Sequence, residues 1–411
     1  MANIKPFQAI RPAKEYAAKI AALPYDVYNR KEAKNIVEKN PLSFLAIDRP
    51  ETAFEDQQDM YAACVYEKAA SLLKEWIEKE YFIKEEKAVY YLYELTWKGR
   101  SQTGFVAVAS IDDYNNEVIL KHEKTREEKE QDRITHISYC NAQTGPIFLA
   151  YRDQDRLNCI MKEEKLKEPL YDVTNEDEVR HRIFRIDSNE TIEEIQEQFG
   201  KINKIYIADG HHRCASAVKV GMKKREKEEK NHPDAEYNFF LSVLFPESEL
   251  EILDYNRVIK DLGELTEEQF LQELEKDFIL MKSENPVSPK KKGEFGMYLG
   301  KQWYRVNFCF EHQKEKNVIK DLDVSILQDY CLDPILKIKD PRTDHRIDFV
   351  GGIRGLEELE RRVNTDCKVA FSMKPTSMEE LFMVADAGEL MPPKSTWFEP
   401  KLRSGFFIHQ I

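Results

Sequence analysis

The chain has 411 residues, 42% hydrophobic and 33% charged, which is enough for a sizeable core and two or three subdomains. Its net charge of −13 argues against sequence-independent nucleic-acid binding and leaves room only for a local basic cleft. No apolar run is long enough to span a bilayer, and the first residues lack the apolar stretch of a signal peptide. The seven cysteines are scattered without a CxxC pair, so reduced thiols in the cytoplasm are expected rather than a disulfide frame or a zinc knuckle.

Residues 1–50 are dense in prolines at turn positions. An extended segment at 6–12 carries Arg11. A short helix at 16–23 stops at Pro24, and a turn at 24–28 carries Asp26. A helix at 30–39 ends before Asn40-Pro41, and 43–47 reads as a strand. Arg11 and Asp26 fall in loops beside strands, where binding residues concentrate, with a surface salt bridge as the competing reading for each. Residues 55–80 have the spacing of a long amphipathic helix with Val65, Leu73 and Trp76 inward. Two β-rich runs at 89–97 and 100–108 flank Lys98-Gly99 and predict a hairpin.

Four functional side chains follow a strand at 119–120, in the run His122-Glu123-Lys124-Thr125, and a charged helix extends through Asp132-Arg133. Glu123 is a candidate base or metal ligand, and Lys124, Thr125 and Arg133 are candidates for phosphate oxygens. Glu127 to Glu130 read as a solvated helix face. A Gly145-Pro146 turn leads into another strand. Residues 152–200 read as peripheral, with a strand near 182–186, a helix at 190–199 and His181 on the surface.

The most informative stretch comes next. An apolar run at 204–208 predicts a buried strand, and Ala215, Val218 and Met222 then recur at helical spacing. The chain therefore turns from strand to helix within Asp209-Gly210-His211-His212-Arg213. The first amides of a helix have no internal partner, and beside two histidines and an arginine they make an anion site. Asp209 could hold a metal or orient a histidine, although an aspartate there is often only a cap.

Residues 223–234 read as an exposed helix end and loop. Strands are expected at 238–245 and 250–259, and a domain boundary near 260. Beyond it come a helix at 266–278, a hairpin at 295–300 and 303–308, a helix at 324–332, a strand and Gly turn at 342–352, a helix at 356–363 and a strand at 369–373. The tail, 391–402, is rigid, aromatic and basic. It could fold back over a cleft and present Lys394, Ser395, Thr396 and Lys401 to a phosphate, with plain packing of the arm as the alternative.

Nine pieces in order (6–12, 24–27, 40–45, 122–125, 132–133, 141–148, 208–217, 253–258 and 391–402) resemble a bacterial and archaeal family known as domain of unknown function 1015. The Asp-Gly-His-His-Arg box is also similar to the phosphate-binding box of the ParB/sulfiredoxin superfamily, which includes kinases acting on free L-serine. Sulfiredoxins carry a cysteine inside this box; here Cys214 follows Arg213, so sulfinic-acid reduction is disfavoured. There is no Walker loop and no protein-kinase signature. The resemblance implies a mixed α/β, α+β fold, with a ParB/sulfiredoxin-like core over 1–260 and a C-terminal α/β subdomain over 261–411. It implies a cytoplasmic serine kinase making O-phosphoserine, with pyrophosphate, ATP or ADP as donor and Mg²⁺ as cofactor. In that reading Gly210, His211, His212 and Arg213 cradle the donor, and Glu123 and Asp209 divide the roles of base and metal ligand. Arg11 and Asp26 then bind the substrate. A ParB-like nucleotide switch and a non-catalytic phosphometabolite sensor are the alternatives. A membrane or nucleic-acid partner is not expected, and a homo-oligomer is left open.

Overall fold

In a computed structural model, residues 1–228 and 232–411 are described, so the loop expected around 229–231 lies outside the described residues. Local rules explain the first elements. Asn29 caps the helix Arg30–Lys39 with a reciprocal Asn29/Glu32 capping box, and the helix ends ahead of Pro41. Lys98 and Gly99 both take positive φ, 49° and 81°, as a two-residue hairpin turn requires. They join the strands Tyr90–Trp97 and Arg100–Ser110.

The chain divides into two compact units, Met1–Leu250 with Pro400–Ile411, and Glu251–Glu399. The strand Tyr255–Ile259, on the N-terminal side of the boundary expected at 260, pairs instead within the second unit's sheet. The last residues return to the first unit, where Ile408 bridges to Ile10 and His409 pairs with Gln143.

In the first unit nine of the described strands form one mixed sheet. Its order begins Ile119–Leu120, Ile205–Asp209, Ile147–Tyr151, Phe239–Pro246, Arg100–Ser110 and Tyr90–Trp97. Two pairings are parallel, 119–120 with 205–209 and 147–151 with 239–246. Phe105, Leu149, Ile207, Phe240 and Leu244 lie in its core, joined by Val218 and Val220 from the helix His211–Lys227.

Four expectations in this unit are corrected. The run 43–47 is not a strand: Leu45–Asp48 is a helical turn, buried with Phe44 and Ile47 against Trp76. A short apolar run carries no period that separates the two forms. The helix expected over 55–80 is confined to Ala63–Glu78. Glu130 is buried, not solvated, and its carboxylate meets Lys219. His181 is fully buried, with Nδ1 hydrogen-bonded to the Tyr93 hydroxyl at 2.8 Å.

The second unit is built on a six-stranded antiparallel sheet in the order Phe278–Ser283, Gln302–Phe308, Glu294–Leu299, Val369–Met373, Tyr255–Ile259, Ile347–Gly351. Phe278, Phe295, Val306, Leu327, Val369 and Phe371 fill its core. The helix Met378–Asp386 was not expected, although its Ser377-to-Glu380 capping box is written in the sequence.

Candidate functional site

Strand direction assembles the site. Because 119–120 runs parallel to 205–209, the residues leaving both strands emerge at one sheet edge. That places His122 and Glu123 beside His211. The antiparallel neighbour 147–151 begins at the same edge and brings Pro146 there. Gly210 makes the turn with φ 91°, and a Cβ on it would press on the Arg213 guanidinium at 3.0 Å.

Asp209 is held between two cations. One carboxylate oxygen lies 3.1 Å from Lys401 Nζ, and the other accepts from Arg213 Nη2 at 3.1 Å. Burial alone would raise its pKa, but Lys401 and Arg213 outweigh burial and hold it at about 2. Arg213 also donates to the Pro146 carbonyl at 2.5 Å.

The histidines stay neutral. Burial pushes His122 down to about 4, and burial with the neighbouring His122 puts His211 well below its ordinary value. Their rings meet edge to face at 4.5 Å. His211 Nε2 accepts the His122 amide at 3.4 Å, so its proton is assigned to Nδ1, which faces Glu123 Oε2 at 3.6 Å. His212 Nε2 accepts the Arg126 amide at 2.9 Å, and burial lowers its pKa.

Arg133 is buried, pairs with Asp132 at 2.8 Å and lies over the Tyr25 ring at 3.9 Å. Tyr25, Asp26, Arg49, Tyr66, Lys129 and Arg133 line a cavity of about 220 Å³. A smaller pocket shares Tyr25 and Arg133 with it and reaches Arg213, Thr144 and Asp48.

The structure thus brings Asp209, Gly210, His211, His212, Arg213, Glu123 and Lys401 to one edge. Arg133 and Asp26 line the adjoining cavity. Thr125 lies near the Glu130 carboxylate, which meets Lys219. Lys124 is exposed after Glu123. Arg11 is spent elsewhere: it meets Glu85 at 2.5 Å and donates to the Tyr171 hydroxyl at 3.1 Å. Lys394, Ser395 and Thr396 belong to the second unit, where Ser395 Oγ donates to the Pro392 carbonyl at 2.6 Å and the Lys394 carbonyl accepts from Arg257. His122, Tyr25 and Asp132 received no role from the sequence. The hints were the place of His122 in the run ending at Thr125 and the places of Tyr25 and Asp132 in stretches 24–27 and 132–133 that carry the family resemblance.

Among the described residues no group of three or more His, Cys, Asp or Glu side chains is arranged to hold a metal ion. Asp209, with each oxygen on a cation, does not fit a magnesium ligand. Glu123, its side chain 60% exposed, fits as a single carboxylate beside a phosphate-bound ion.

The chain belongs to the family described as protein of unknown function (DUF1015), whose profile matches residues 4–325. No curated protein matches it. Similar solved structures include a free serine kinase in complex with AMP, 16% identical over 74% of this chain and 91% of that one, with a TM-score of 0.35. A conserved hypothetical protein from Pyrococcus furiosus is 16% identical over 74% and 94%, with a TM-score of 0.34. SbnI with a C-terminal truncation, from Staphylococcus aureus, is 11% identical over 72% and 82%, with a TM-score of 0.36.

Proposed function

We propose that this chain is a cytoplasmic small-molecule kinase with a ParB/sulfiredoxin-like phosphate-binding core. It transfers a phosphoryl group to the hydroxyl of free L-serine, with pyrophosphate, ATP or ADP as donor. The observation that carries this reading is the sheet edge itself. A helix N-terminus begins there at His211, which meets the exposed carboxylate of Glu123, and Arg213 and Lys401 flank the neighbouring Asp209. Phosphoryl transfer asks for charge neutralisation, positioning and a proton acceptor, and little else.

In this mechanism the amides at 211–213 and Arg213 take the donor phosphates. Asp209 is a positioning residue that holds Arg213 and Lys401 in place. Glu123 accepts the serine hydroxyl proton as the serine oxygen attacks phosphorus and the donor's bridging P–O bond breaks. His211, neutral and protonated on Nδ1, orients Glu123. Mg²⁺ would supply further charge neutralisation on the donor; one oxygen of Glu123 would be available to hold it, leaving the other to take the serine proton. With Arg11 committed to Glu85, the cavity of Asp26 and Arg133 is the place for the amino acid's charged groups.

Phosphorus NMR tests the reading: the purified protein receives Mg²⁺ and L-serine with pyrophosphate, ATP or ADP in separate tubes. An O-phosphoserine resonance is expected in one of them and names the donor. Silence in all three with folded protein would reject the L-serine kinase and favour a phosphometabolite sensor or a different hydroxyl acceptor.

A further inference from the structure

The second unit contains a buried guanidinium with no acid beside it. Arg257, on the strand Tyr255–Ile259, is 4% exposed. Its Nη1 donates to the Tyr255 carbonyl and its Nη2 to the Lys394 carbonyl at 3.1 Å, and the Phe349 ring lies 5.6 Å away. Carbonyl dipoles orient the group without cancelling its charge, and no carboxylate pairs with it among the described residues. Burial pushes it down to about 10, and only Tyr255 acts in the other direction. Other arginines of this unit are answered: Arg346 meets Asp344 at 3.0 Å, and Arg362 meets Asp366 at 2.9 Å. A cation taken from water without a counter-charge is a standing cost, and an arriving anion removes it.

Arg257 lines a cavity of about 410 Å³. Leu332, Ile347, Phe349 and Met391 give it apolar walls; of its other charged lining residues, Asp340 and Arg342 pair with each other at 2.9 Å, and the exposed Lys339 adds positive charge. Gln328 also lines it. Its Nε2 donates to the Ile338 carbonyl at 2.7 Å, while its Oε1 is buried and accepts no hydrogen bond among the described residues. A water-filled void would not need this combination of an unanswered cation, an unanswered acceptor and apolar walls.

We propose that this cavity binds a small organic oxyanion. A carboxylate or phosphoryl group sits against Arg257, an apolar or aromatic body against Leu332, Ile347, Phe349 and Met391, and a hydroxyl or N–H donates to Gln328 Oε1. The site lies wholly in the second unit and stands independently of the kinase reading.

Thermal unfolding of the full chain with millimolar inorganic phosphate, phenyl phosphate or 4-hydroxybenzoate tests it. At least one organic anion is expected to raise the melting temperature by about 2–4 °C and inorganic phosphate by less. Phenyl phosphate alone acting assigns a phosphoryl ligand, and 4-hydroxybenzoate alone a carboxylate. The shift is expected to vanish in Arg257→Gln and to persist in Arg213→Ala, which alters only the first unit's site. Leu390→Trp, on a half-exposed wall residue of the cavity, fills it without touching Arg257, keeps the test open if Arg257→Gln does not fold, and should also abolish the shift. No shift with any probe, an equal shift with inorganic phosphate, or a shift that survives these cavity variants overturns the proposal.

Discussion

Arg133 in the first unit and Arg257 in the second are both buried and both lie beside an aromatic ring, Tyr25 at 3.9 Å and Phe349 at 5.6 Å. Their charges are answered differently. Burial would lower Arg133, but Asp132, Tyr25 and Asp48 outweigh it and hold the guanidinium above its ordinary value. Arg257 has only carbonyl partners and is pushed down. In the first unit, then, the charge of Arg133 is settled within the chain, and in the proposed mechanism the chemistry rests on groups that reach solvent, above all Glu123. In the second unit a buried charge is left for something from outside. The contrast separates the site proposed to react from the cavity proposed to bind.

The largest expected effect lies on the reacting side. Glu123→Gln should lose roughly 10²–10⁴-fold in turnover in a phosphoserine assay, with substrate binding largely kept. Its side chain is exposed, so the melting temperature should barely move. Unchanged turnover would remove Glu123 from the chemistry and require another group to take the serine proton.

Next is the cost of undoing Arg133's pairing. Asp132→Ala leaves that guanidinium buried without its salt-bridge partner, with only the field of Asp48 to answer it, close to the condition Arg257 occupies natively. A stability loss of about 3–5 kcal/mol is expected in urea denaturation. A loss below about 1 kcal/mol would mean that the Tyr25 ring suffices, and the distinction between the two arginines would collapse.

The sequence made the reacting edge legible because its signals are local. An apolar β-run, a glycine and a helical period lie within a few residues of one another in 204–218, and the Lys98-Gly99 turn is equally compact. What it hid depends on partners far along the chain. Arg11 looked available for a substrate until Glu85 and Tyr171 claimed it. Glu130 and His181 looked solvated until Lys219 and Tyr93 met them. Lys401 was expected on a phosphate; it reaches the site across 192 residues and sits on Asp209 instead. Arg257 fell in a stretch, 253–258, that carries the family resemblance, but its cavity was not legible, since an arginine on a strand looks the same whether or not an acid awaits it.

Two carboxyls, one in each unit, respond oppositely to acid. Asp323, in the second unit, is raised by burial to about 6. It contributes stability below its ordinary value of about 4, and that contribution is lost as pH rises through 6, on the order of 1–3 kcal/mol. Asp209, held at about 2, contributes above about 4 and loses its contribution as pH falls toward 2. Asp323→Asn keeps an acceptor for the Gly293 amide and should flatten the second unit's stability between about pH 4 and 6, read by pH-stepped urea melts. A profile still sloping by the same amount would assign that titration to another group.

The smallest effect is also the most local. Asp209 touches both cations at 3.1 Å, yet they are not equal: Lys401 lowers its carboxyl more than Arg213 does. Arg213 divides its donors between Asp209 and the Pro146 carbonyl. Lys401→Met should therefore raise the Asp209 titration further than Arg213→Met, followed through its side-chain carboxyl carbon by NMR. Each change should alter stability by less than about 1 kcal/mol, because the carboxylate remains partly exposed and water replaces the lost partner. Equal shifts would make the two cations interchangeable clamps. A larger shift from Arg213→Met would make Arg213 the principal holder of Asp209, leaving Lys401 as the cation more readily released to a phosphate.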